Sequence, residues 1–333
     1  MSRITMSRGR DRAIALIRKS KSIYVGTHVR PDGDALGSAL ALSLALDAQG
    51  KRVATLCADP VPVNYRFLPA ADRISAAPPQ WPAELGIVVD CDGLTRVGPL
   101  HPAFEQLPHL IDIDHHATDQ SFGEVRLVDS SAAATAEIVH GLLRSSGAEI
   151  GGDIAICLYA AILTDTGRFS YGNTTAHSLT VAAEMVRAGA DPHDIARRIY
   201  EERSVRGTHL LGVALTRLSP NHDSEIVSST LTRRDFAETG AKPGDTEGII
   251  DHLRAIGGRR VALLFVEVDA GQVRVSLRSD GSVDVSAIAL AFGGGGHAMA
   301  AGCAVRGSTE QVQDKVLAAV RNALKGSSLA HGA

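Results

Sequence analysis

Short apolar segments alternate with stretches of helical periodicity through the first half of the chain. Five segments have the length and residue types of buried strands: residues 22–29, 51–56, 86–89, 110–113 and 125–128. Helical patterns occupy residues 35–49, 131–145, 154–163, 175–188, 192–201 and 205–218. We expect Ser130 or Ser131 to cap the helix that begins at residue 131. This alternation predicts an α/β domain with a mainly parallel sheet flanked by helices.

The pattern changes beyond the turn-rich segment SPNHDSE at residues 219–225. Strand-like segments follow at 225–231, 260–268 and 273–277, and helical patterns at 285–291 and 310–324. These elements predict a smaller α+β domain. The length of 333 residues fits two domains, and we place their boundary between residues 188 and 224.

Composition and charge narrow the class of protein. Charged residues make up 21% of the chain and hydrophobic residues 44%, which predicts a folded chain. The formal net charge of −3 argues against a protein that holds long nucleic acid through bulk basicity. The apolar run at residues 39–48 is too short to cross a membrane, and the N-terminus lacks a signal-peptide pattern.

The cysteines indicate a reducing compartment. They lie far apart, and the absence of a CxxC pair argues against a thiolate zinc site. We expect all four to be small buried residues in a cytoplasmic protein: Cys57, Cys91, Cys157 and Cys303.

Candidate metal ligands follow the first predicted strand, in the segment THVRPDGD. Its imidazole and carboxylate groups, on His28, Asp32 and Asp34, together suit Mn, Zn or Fe better than Ca. Two aspartates two residues apart could serve two different metals. The alternative is an ordinary turn, in which Asp34 caps the helix that begins at residue 35.

An aspartate, Asp90, directly ends the apolar segment 86–89. A carboxylate at this position could bridge two cations. Asp92 lies two residues on and competes for the role, and either residue could instead bind its own backbone in a loop. The position at the strand end favours Asp90, because ligands of an open parallel sheet bind beyond the carboxyl ends of its strands.

Asp114, His115 and His116 follow the segment 110–113. Adjacent histidines on an extended backbone do not easily bind one metal, so one ligand and one residue facing the substrate is the more natural arrangement. Asp165 follows an apolar helical stretch, where a nearby cation would offset its unfavourable interaction with the helix dipole. A solvated helix end is the alternative for Asp165.

The predicted second domain contains four glycines and a histidine in succession: Gly293, Gly294, Gly295, Gly296 and His297. Consecutive glycines let backbone N–H groups approach an anion, and the histidine could add a donor. A flexible turn is the alternative. Arg278, at the end of a predicted strand, could contact a phosphate in bidentate geometry or be solvated.

Four motifs in chain order resemble those of the DHH phosphoesterase superfamily: THVRPDGDALGS, VVDCDG, IDHH and LTDTGRF. The segment SLRSDGSVDVSAIALAFGGGGHAMAAG is similar to the DHHA1 substrate-binding domain. The resemblance covers roughly residues 22–323 and is greatest to the bifunctional oligoribonucleases and pAp phosphatases, a subgroup that includes cyclic di-AMP phosphodiesterases. It implies a catalytic DHH domain at 1–188, linker helices at 189–222 and a DHHA1 domain at 223–326.

The resemblance implies two divalent metal ions, usually Mn²⁺, on the larger domain. Carried over by motif, the ligands are His28, Asp32 and Asp90 for one ion, and Asp34, Asp90, His115 and Asp165 for the other. Asp90 would bridge the ions, His116 would face the scissile phosphate, and Asp114 would orient its neighbour. In the DHHA1 domain, Arg278, His297 and the four glycines would hold the terminal phosphate or nucleotide of the substrate. Two departures bear on substrate preference: Asp119, where the family often has Asn, and the extra acid Asp92.

The implied activity is hydrolysis of very short oligoribonucleotides to 5′-mononucleotides, and of pAp to AMP, by a homodimer. Mild acidity fits short substrates better than long polymers. One alternative is a phosphodiesterase for cyclic di-AMP or linear dinucleotides on the same scaffold, and another is a nucleotide-binding sensor without activity. The GGGGH segment argues against an inorganic pyrophosphatase, because that branch of the superfamily carries a different second domain.

Overall fold

The computed structural model describes residues 3–116, 122–220, 225–269 and 271–330. The chain divides into two units, Met1–Glu202 and Arg203–Ala333. Each unit has its own sheet and its own hydrophobic core. Among the helices of the described ranges, none combines the length and hydrophobicity needed to cross a membrane.

The predicted parallel sheet of the first unit is confirmed. Its strands are β1 (Ser22–Gly26), β2 (Arg52–Leu56), β3 (Leu85–Val89), β4 (Leu110–Asp114) and β5 (Val125–Val128). All neighbours are parallel, in the order β2-β1-β3-β4-β5. The chain runs outward from β1 to β2 and returns to β3 on the other side of β1. The carboxyl ends of β1 and β3 therefore form the crevice where open α/β sheets bind ligands.

Seven helices accompany this sheet within the described residues. They are α1 (Arg3–Lys19), α2 (Gly33–Ala48), α3 (His101–Glu105), α4 (Thr135–Ser146), α5 (Gly152–Asp165), α6 (Ala176–Arg187) and α7 (Pro192–Ala196). A π-helical turn, Arg197–Glu201, follows α7, and 3₁₀ turns lie at Val63–Tyr65, Ala71–Arg73 and Leu94–Leu100. The sequence did not predict α1, because its polar composition leaves only a sparse buried face, at Ala13, Ile14 and Ile17.

Helices α2 and α5 approach each other closely at two glycines of α2. A Cβ atom on Gly37 would lie 2.4 Å from the carbonyl oxygen of Cys157, and one on Gly33 would lie 2.4 Å from Oγ1 of Thr164. Helix α2 is buried on almost every face, which explains its nearly uniform apolar sequence. This packing places the beginning of α2 beside the end of α5.

The second unit is built on a mixed sheet. Its strands are β6 (Ser219–Pro220), β7 (Ile226–Leu231), β8 (Val261–Asp269), β9 (Gln272–Ser279), β10 (Gly295–His297) and β11 (Ala300–Arg306). The order is β10-β11-β9-β8-β7-β6, with β7 and β8 parallel and the other pairs antiparallel. The sequence missed β10 and β11, because their glycines and alanines have low strand propensity.

Five helices pack on this sheet within the described residues. They are α8 (Val205–Thr216), α9 (Arg233–Thr239), α10 (Ile249–Arg254), α11 (Val285–Ala291) and α12 (Thr309–Ala330), with a 3₁₀ turn at Pro243–Thr246. Helices α11 and α12 pack on one face of the sheet and form a hydrophobic core with it. Helices α8 and α10 pack on the opposite face. The sequence missed α9 and α10, which are too short to show a clear helical period. The predicted α+β class is confirmed.

All four cysteines are buried and outside any disulfide, as the sequence predicts. Cys57, Cys91 and Cys157 lie in the first unit, and Cys303 lies on β11 of the second. Burial raises the pKa of the Cys57 thiol to about 11. Cys157 and Cys303 belong to the hydrophobic cores of the first and second units, where they serve as small apolar groups.

We expect Gly37→Ala to destabilise the first unit by about 1–3 kcal/mol, because the new methyl group would meet the backbone of α5. Thermal unfolding followed by circular dichroism measures the change. Gly172→Ala is the matched control, since nothing lies within 4 Å of a Cβ atom at that position. Equal unfolding temperatures for the two variants would contradict the close packing of α2 on α5.

Candidate metal centre

The candidate site lies at the carboxyl ends of three neighbouring strands. His28 follows β1, Asp90 follows β3, and Asp114 ends β4 directly before His115 and His116. Because β1, β3 and β4 are adjacent, their carboxyl ends bring these side chains to one edge of the sheet. Asp90 and Asp114 are almost fully buried.

Two helices supply the remaining acids. Asp32 caps α2, accepting a hydrogen bond from the Ala35 N–H at 3.0 Å, and Asp34 lies in the first turn of the helix. The alternative in which Asp34 caps α2 is wrong, because Asp32 is the N-cap residue of the helix. Asp165 is the last residue of α5. The close approach of α2 and α5 brings Asp34 and Asp165 to the same side of the sheet.

The loop between His28 and Asp32 is held in an unusual conformation. Arg30 has a φ of 56°, in the left-handed region that non-glycine residues rarely adopt. Its N–H donates to Oδ2 of Asp59 at 2.7 Å, and the Val29 N–H donates to the Arg96 carbonyl at 2.8 Å. Sequence reasoning did not single out Asp59, whose contact spans 29 residues of chain.

Asp90 lies at the centre of the site. Its Oδ2 is 3.5 Å from Nε2 of His28, and its Oδ1 is 3.7 Å from Nε2 of His115. The same nitrogen of His115 is 3.5 Å from Oδ2 of Asp165 and 4.0 Å from Oδ2 of Asp34. These distances exceed those of hydrogen bonds. They match donor atoms around a shared ion, which lie about 3–4 Å apart when each metal–ligand bond is about 2.1 Å.

Three sets of potential ligand atoms among the described residues contain Asp90, and two of them match the assignment that the motifs imply; the third is Asp90, Asp114 and His116. Within each of the two matching sets the atoms lie within 4.8 Å of one another: His28, Asp32 and Asp90 in the first, and Asp34, Asp90 and His115 in the second. Asp165 adjoins the second set through its contact with His115. The structure thus brings together all six residues that the motifs assign to two metals.

Hydrogen bonds on the Nδ1 side fix the orientation of all three histidines. Nδ1 of His28 lies 2.9 Å from the Val29 carbonyl, and Nδ1 of His115 lies 3.2 Å from the Ala132 carbonyl. With Nδ1–H donating to these carbonyls, Nε2 of each ring faces the carboxylates and is the nitrogen that would bind a metal after losing its proton. His116 differs, because its Nδ1 donates to Oδ1 of Asp114 at 2.7 Å.

Helix α4 also contributes to the site. The backbone N–H groups of Thr135 and Ala136 donate to Asp34, at 2.6 and 3.0 Å. The predicted cap at Ser130 or Ser131 is wrong, because α4 begins later and its N-cap position is an alanine. A carboxylate about 100 residues away in sequence satisfies these N–H groups instead. A local capping pattern cannot reveal such a contact.

The pKa values of the carboxylates in the site shift in opposite directions, upward for Asp34 and Asp165 and downward for Asp90. Burial raises the pKa of Asp34 and takes that of Asp165 to about 7, and repulsion from neighbouring aspartates adds to both. Burial opposes the charged form of Asp90, but the contact with His28 and the nearby histidine charges hold the pKa of Asp90 well below the usual range. Burial would likewise lower the pKa of His28 and His116, but contacts with Asp90 and Asp114 raise these values to about 9 and about 10.

The donor set fits divalent cations. Asp34 and Asp90 are buried at 1% and 2% exposure, with Asp165 beside them, so three carboxylates share one small volume. Buried charges require compensation by partners of opposite charge or by metals. Carboxylates combined with imidazoles are ligands that Mn²⁺, Zn²⁺ and Fe²⁺ accept. The arrangement therefore provides what a pair of divalent ions needs.

The two departures from the motif pattern have different outcomes. Asp92 forms an ion pair with Arg96, with Oδ1 3.1 Å from Nε, and belongs to none of the ligand sets found among the described residues. Asp119 lies outside the described residues.

The second unit places Arg278 and His297 on one face of its sheet. Arg278 of β9 pairs with Ala300 of β11, which pairs in turn with His297 of β10. Side chains of directly opposite residues in antiparallel strands point to the same side of the sheet. The alanine between Arg278 and His297 is too short to separate their side chains. The buried Nε of Arg278 makes no hydrogen bond and lies 3.6 Å from Oδ1 of Asp251.

The glycine run joins α11 to β10. Gly295 and Gly296 belong to β10, and Gly293 and Gly296 have positive φ values of 74° and 134°. A Cβ atom on Gly294 would lie 2.2 Å from the carbonyl oxygen of Gly302 on β11. Backbone geometry and close packing thus account for glycine at Gly293, Gly294 and Gly296.

Family models match both units. The model of the DHH family, N-terminal domain, matches residues 22–162, and that of the DHHA1 domain matches residues 223–326. The chain belongs to the DHH family and carries a C-terminal DHHA1 domain.

Relatives resemble the chain over most of its length. It is 37% identical to the bifunctional oligoribonuclease and PAP phosphatase NrnA of Thermus thermophilus, over 91% of this chain and 90% of that protein. It is 28% identical to the protein of the same name in Bacillus subtilis, over 89% and 93%. The crystal structure of an exopolyphosphatase-related protein from Bacteroides fragilis has a TM-score of 0.89, at 25% identity over 99% of both chains.

We expect the affinity for Mn²⁺ to rise with pH between about pH 6 and about pH 8. Without metal, a pKa of about 9 keeps a proton on His28 throughout this range, and a pKa of about 7 keeps one on Asp165 at the lower end of the range. A metal must displace these protons, so their competition is strongest at low pH and weakens as pH rises. Calorimetric titration in two buffers of different ionisation enthalpy measures affinity and proton release together. An affinity independent of pH, without proton release, would contradict this assignment.

Proposed function

We propose that this protein is a metal-dependent phosphoesterase that hydrolyses very short oligoribonucleotides to 5′-mononucleotides and pAp to AMP. The observation that carries the proposal is the position of Asp90 in two sets of metal-ligand atoms. The full-length likeness to proteins named for both activities supports the choice of substrates. Both reactions break the bond between phosphorus and a 3′ oxygen, so one site can serve both.

The proposed cofactor is a pair of divalent ions, Mn²⁺ by the family resemblance. The ligands are His28, Asp32 and Asp90 for one ion, and Asp34, Asp90, His115 and Asp165 for the other. Such a pair, when bound, polarises phosphoryl oxygens and lowers the pKa of the attacking water. The protein supplies the fixed ligand positions, because hydrogen bonds hold both histidines and the Asp34 carboxylate.

We assign His116 to the scissile phosphate. Its Nδ1 is engaged by Asp114, so Nε2–H can donate to a phosphoryl oxygen. The Asp114 hydrogen bond raises the pKa of His116 to about 10 against the opposing effect of burial, which keeps the ring charged at neutral pH. The imidazolium would offset negative charge as water adds to phosphorus and the 3′ oxygen leaves.

We assign Arg278, His297 and the four glycines, Gly293 to Gly296, to the terminal phosphate or nucleotide of the substrate. Arg278 and His297 share a face of the sheet, and the guanidinium suits bidentate contact with a phosphate. This contact is remote from the bond that breaks, so it would contribute to substrate binding more than to chemistry.

The remaining proposals rest on the family resemblance. They are a catalytic DHH domain at residues 1–188, linker helices at 189–222, a DHHA1 domain at 223–326, and a cytoplasmic homodimer. Residues 221–222 of the linker lie outside the described residues.

The test compares kcat/KM of the Mn²⁺-loaded protein on a 5′-phosphorylated diribonucleotide, pAp and cyclic di-AMP. We expect turnover of the first two, and a loss of about 10³-fold or more in Asp90→Asn because both sets lose a ligand charge. Asp92→Asn, two residues away and paired with Arg96, is the matched control and should retain activity within about threefold. A preference for cyclic di-AMP would instead support the cyclic dinucleotide phosphodiesterase. Metal binding without turnover of any substrate would indicate a sensor.

We expect Arg278→Gln to raise KM for pAp by about 10–100-fold with little change in kcat, because a hydrogen-bonded contact with a charged group is lost. Steady-state kinetics separate the two constants. Arg306→Gln, at the other end of β11, is the control and should leave both unchanged. A loss confined to kcat would contradict a binding role for Arg278.

A further inference from the structure

Thr135, the first residue of α4, contacts two carboxylates of the candidate metal centre and is fully buried. Its backbone N–H donates to Oδ2 of Asp34 at 2.6 Å. Its hydroxyl donates to Oδ1 of Asp90 at 2.9 Å. One residue therefore connects a proposed ligand of one metal with the proposed bridging ligand of both.

The backbone contact fixes the position of Thr135. Asp34 accepts from the first two N–H groups of α4, at Thr135 and Ala136, and also from the Ser38 hydroxyl at 2.9 Å. These contacts join the N-terminus of α4 to the first turn of α2. The backbone of Thr135 is therefore held by Asp34, and from this fixed position its hydroxyl reaches Asp90.

The conformation of Asp90 requires such support. Asp90 has a φ of 58°, a strained value for a residue with a side chain. Its backbone N–H donates to the Ile113 carbonyl at 2.9 Å, a contact that fixes the main chain but does not itself orient the carboxylate. A bridging carboxylate must direct one oxygen to each side, here Oδ2 toward His28 and Oδ1 toward His115.

The hydroxyl contact can hold that orientation. At 2.9 Å it is within hydrogen-bond distance, whereas Nε2 of His28 and of His115 lie 3.5 and 3.7 Å from the Asp90 oxygens. The hydroxyl is neutral, so it restricts rotation of the carboxylate without displacing a cation. Because threonine is branched at Cβ, its χ1 angle is also restricted.

We propose that Thr135 is a positioning residue that holds the Asp90 carboxylate in its bridging orientation through the side-chain hydroxyl. This role rests on the proposed function, since it requires metals on both sides of Asp90. It differs from a role in capping or folding, because the contacts with Asp34 use the backbone and persist whatever the side chain.

The experiment compares Thr135→Val, Thr135→Ser and Thr55→Val with the wild-type protein. Valine keeps the shape and the backbone donors but removes the hydroxyl, and serine restores it. Thr55 is a matched control, because its buried hydroxyl donates to Ser43 on another part of the fold. Calorimetric Mn²⁺ titration gives the affinity and stoichiometry, steady-state kinetics on pAp give kcat and KM, and circular dichroism checks the metal-free fold.

We expect Thr135→Val to bind Mn²⁺ about 10–100-fold more weakly, the usual effect of losing a hydrogen bond to a metal ligand. Its kcat at saturating Mn²⁺ should fall while KM for pAp changes little. Thr135→Ser and Thr55→Val should match the wild type within about threefold. If Thr135→Val does not fold, Thr135→Ala removes the same hydroxyl without the second branched methyl group and takes its place.

Wild-type affinity and kcat in Thr135→Val would overturn the positioning role and leave the metal centre intact. Equal losses in Thr135→Val and Thr135→Ser would also overturn it, because the hydroxyl would then not be the cause. A wild-type protein that binds no Mn²⁺ would overturn the metal centre and this role together. The wild-type titration thus separates failure of the proposed function from failure of the inference about Thr135.

Discussion

The site depends on the repulsion among three carboxylates in one small volume. Asp34 and Asp90 are almost completely buried beside Asp165, an arrangement that costs free energy unless positive charge enters with them. Contacts with the acids raise the pKa values of His28 and His116. The two histidines are therefore charged at neutral pH and supply part of that positive charge in the metal-free protein. Divalent cations would supply it fully, while displacing the proton on His28. The fold holds this unfavourable cluster in place by packing α2 against α5 and by directing the N-terminus of α4 at Asp34.

Much of this arrangement could be predicted from sequence, because the first sheet is parallel and buried. Continuous apolar runs such as Leu85–Val89 show where strands end, and the polar residues that follow lie at one edge of such a sheet. Position at the end of a strand alone favours Asp90 over Asp92, and in the structure Asp90 is central while Asp92 pairs with Arg96. Knowing where the strands end predicts which residues lie near one another, but it does not predict which atoms of those residues are in contact.

The contacts that sequence could not show join distant segments. The cap of α4 comes from Asp34, 101 positions before Thr135, so a serine close to the predicted start was the wrong choice. Asp59 supports the strained Arg30 in the same way, from another loop. The sequence gives no sign of a special role for Thr135, because a threonine at the start of a helix is common. Its significance appears only when its hydroxyl is seen to meet Asp90.

The glycine run shows how a motif can have a structural reason beside a functional one. Sequence left two interpretations open, an anion-binding loop or a turn. In the structure, Gly294 allows close contact with β11 and Gly296 needs a positive φ, so the hairpin alone accounts for both. The glycines are therefore weak evidence for a ligand. Arg278 and His297 are stronger evidence, because hairpin geometry requires neither side chain, yet the register of β9, β11 and β10 places both on one face.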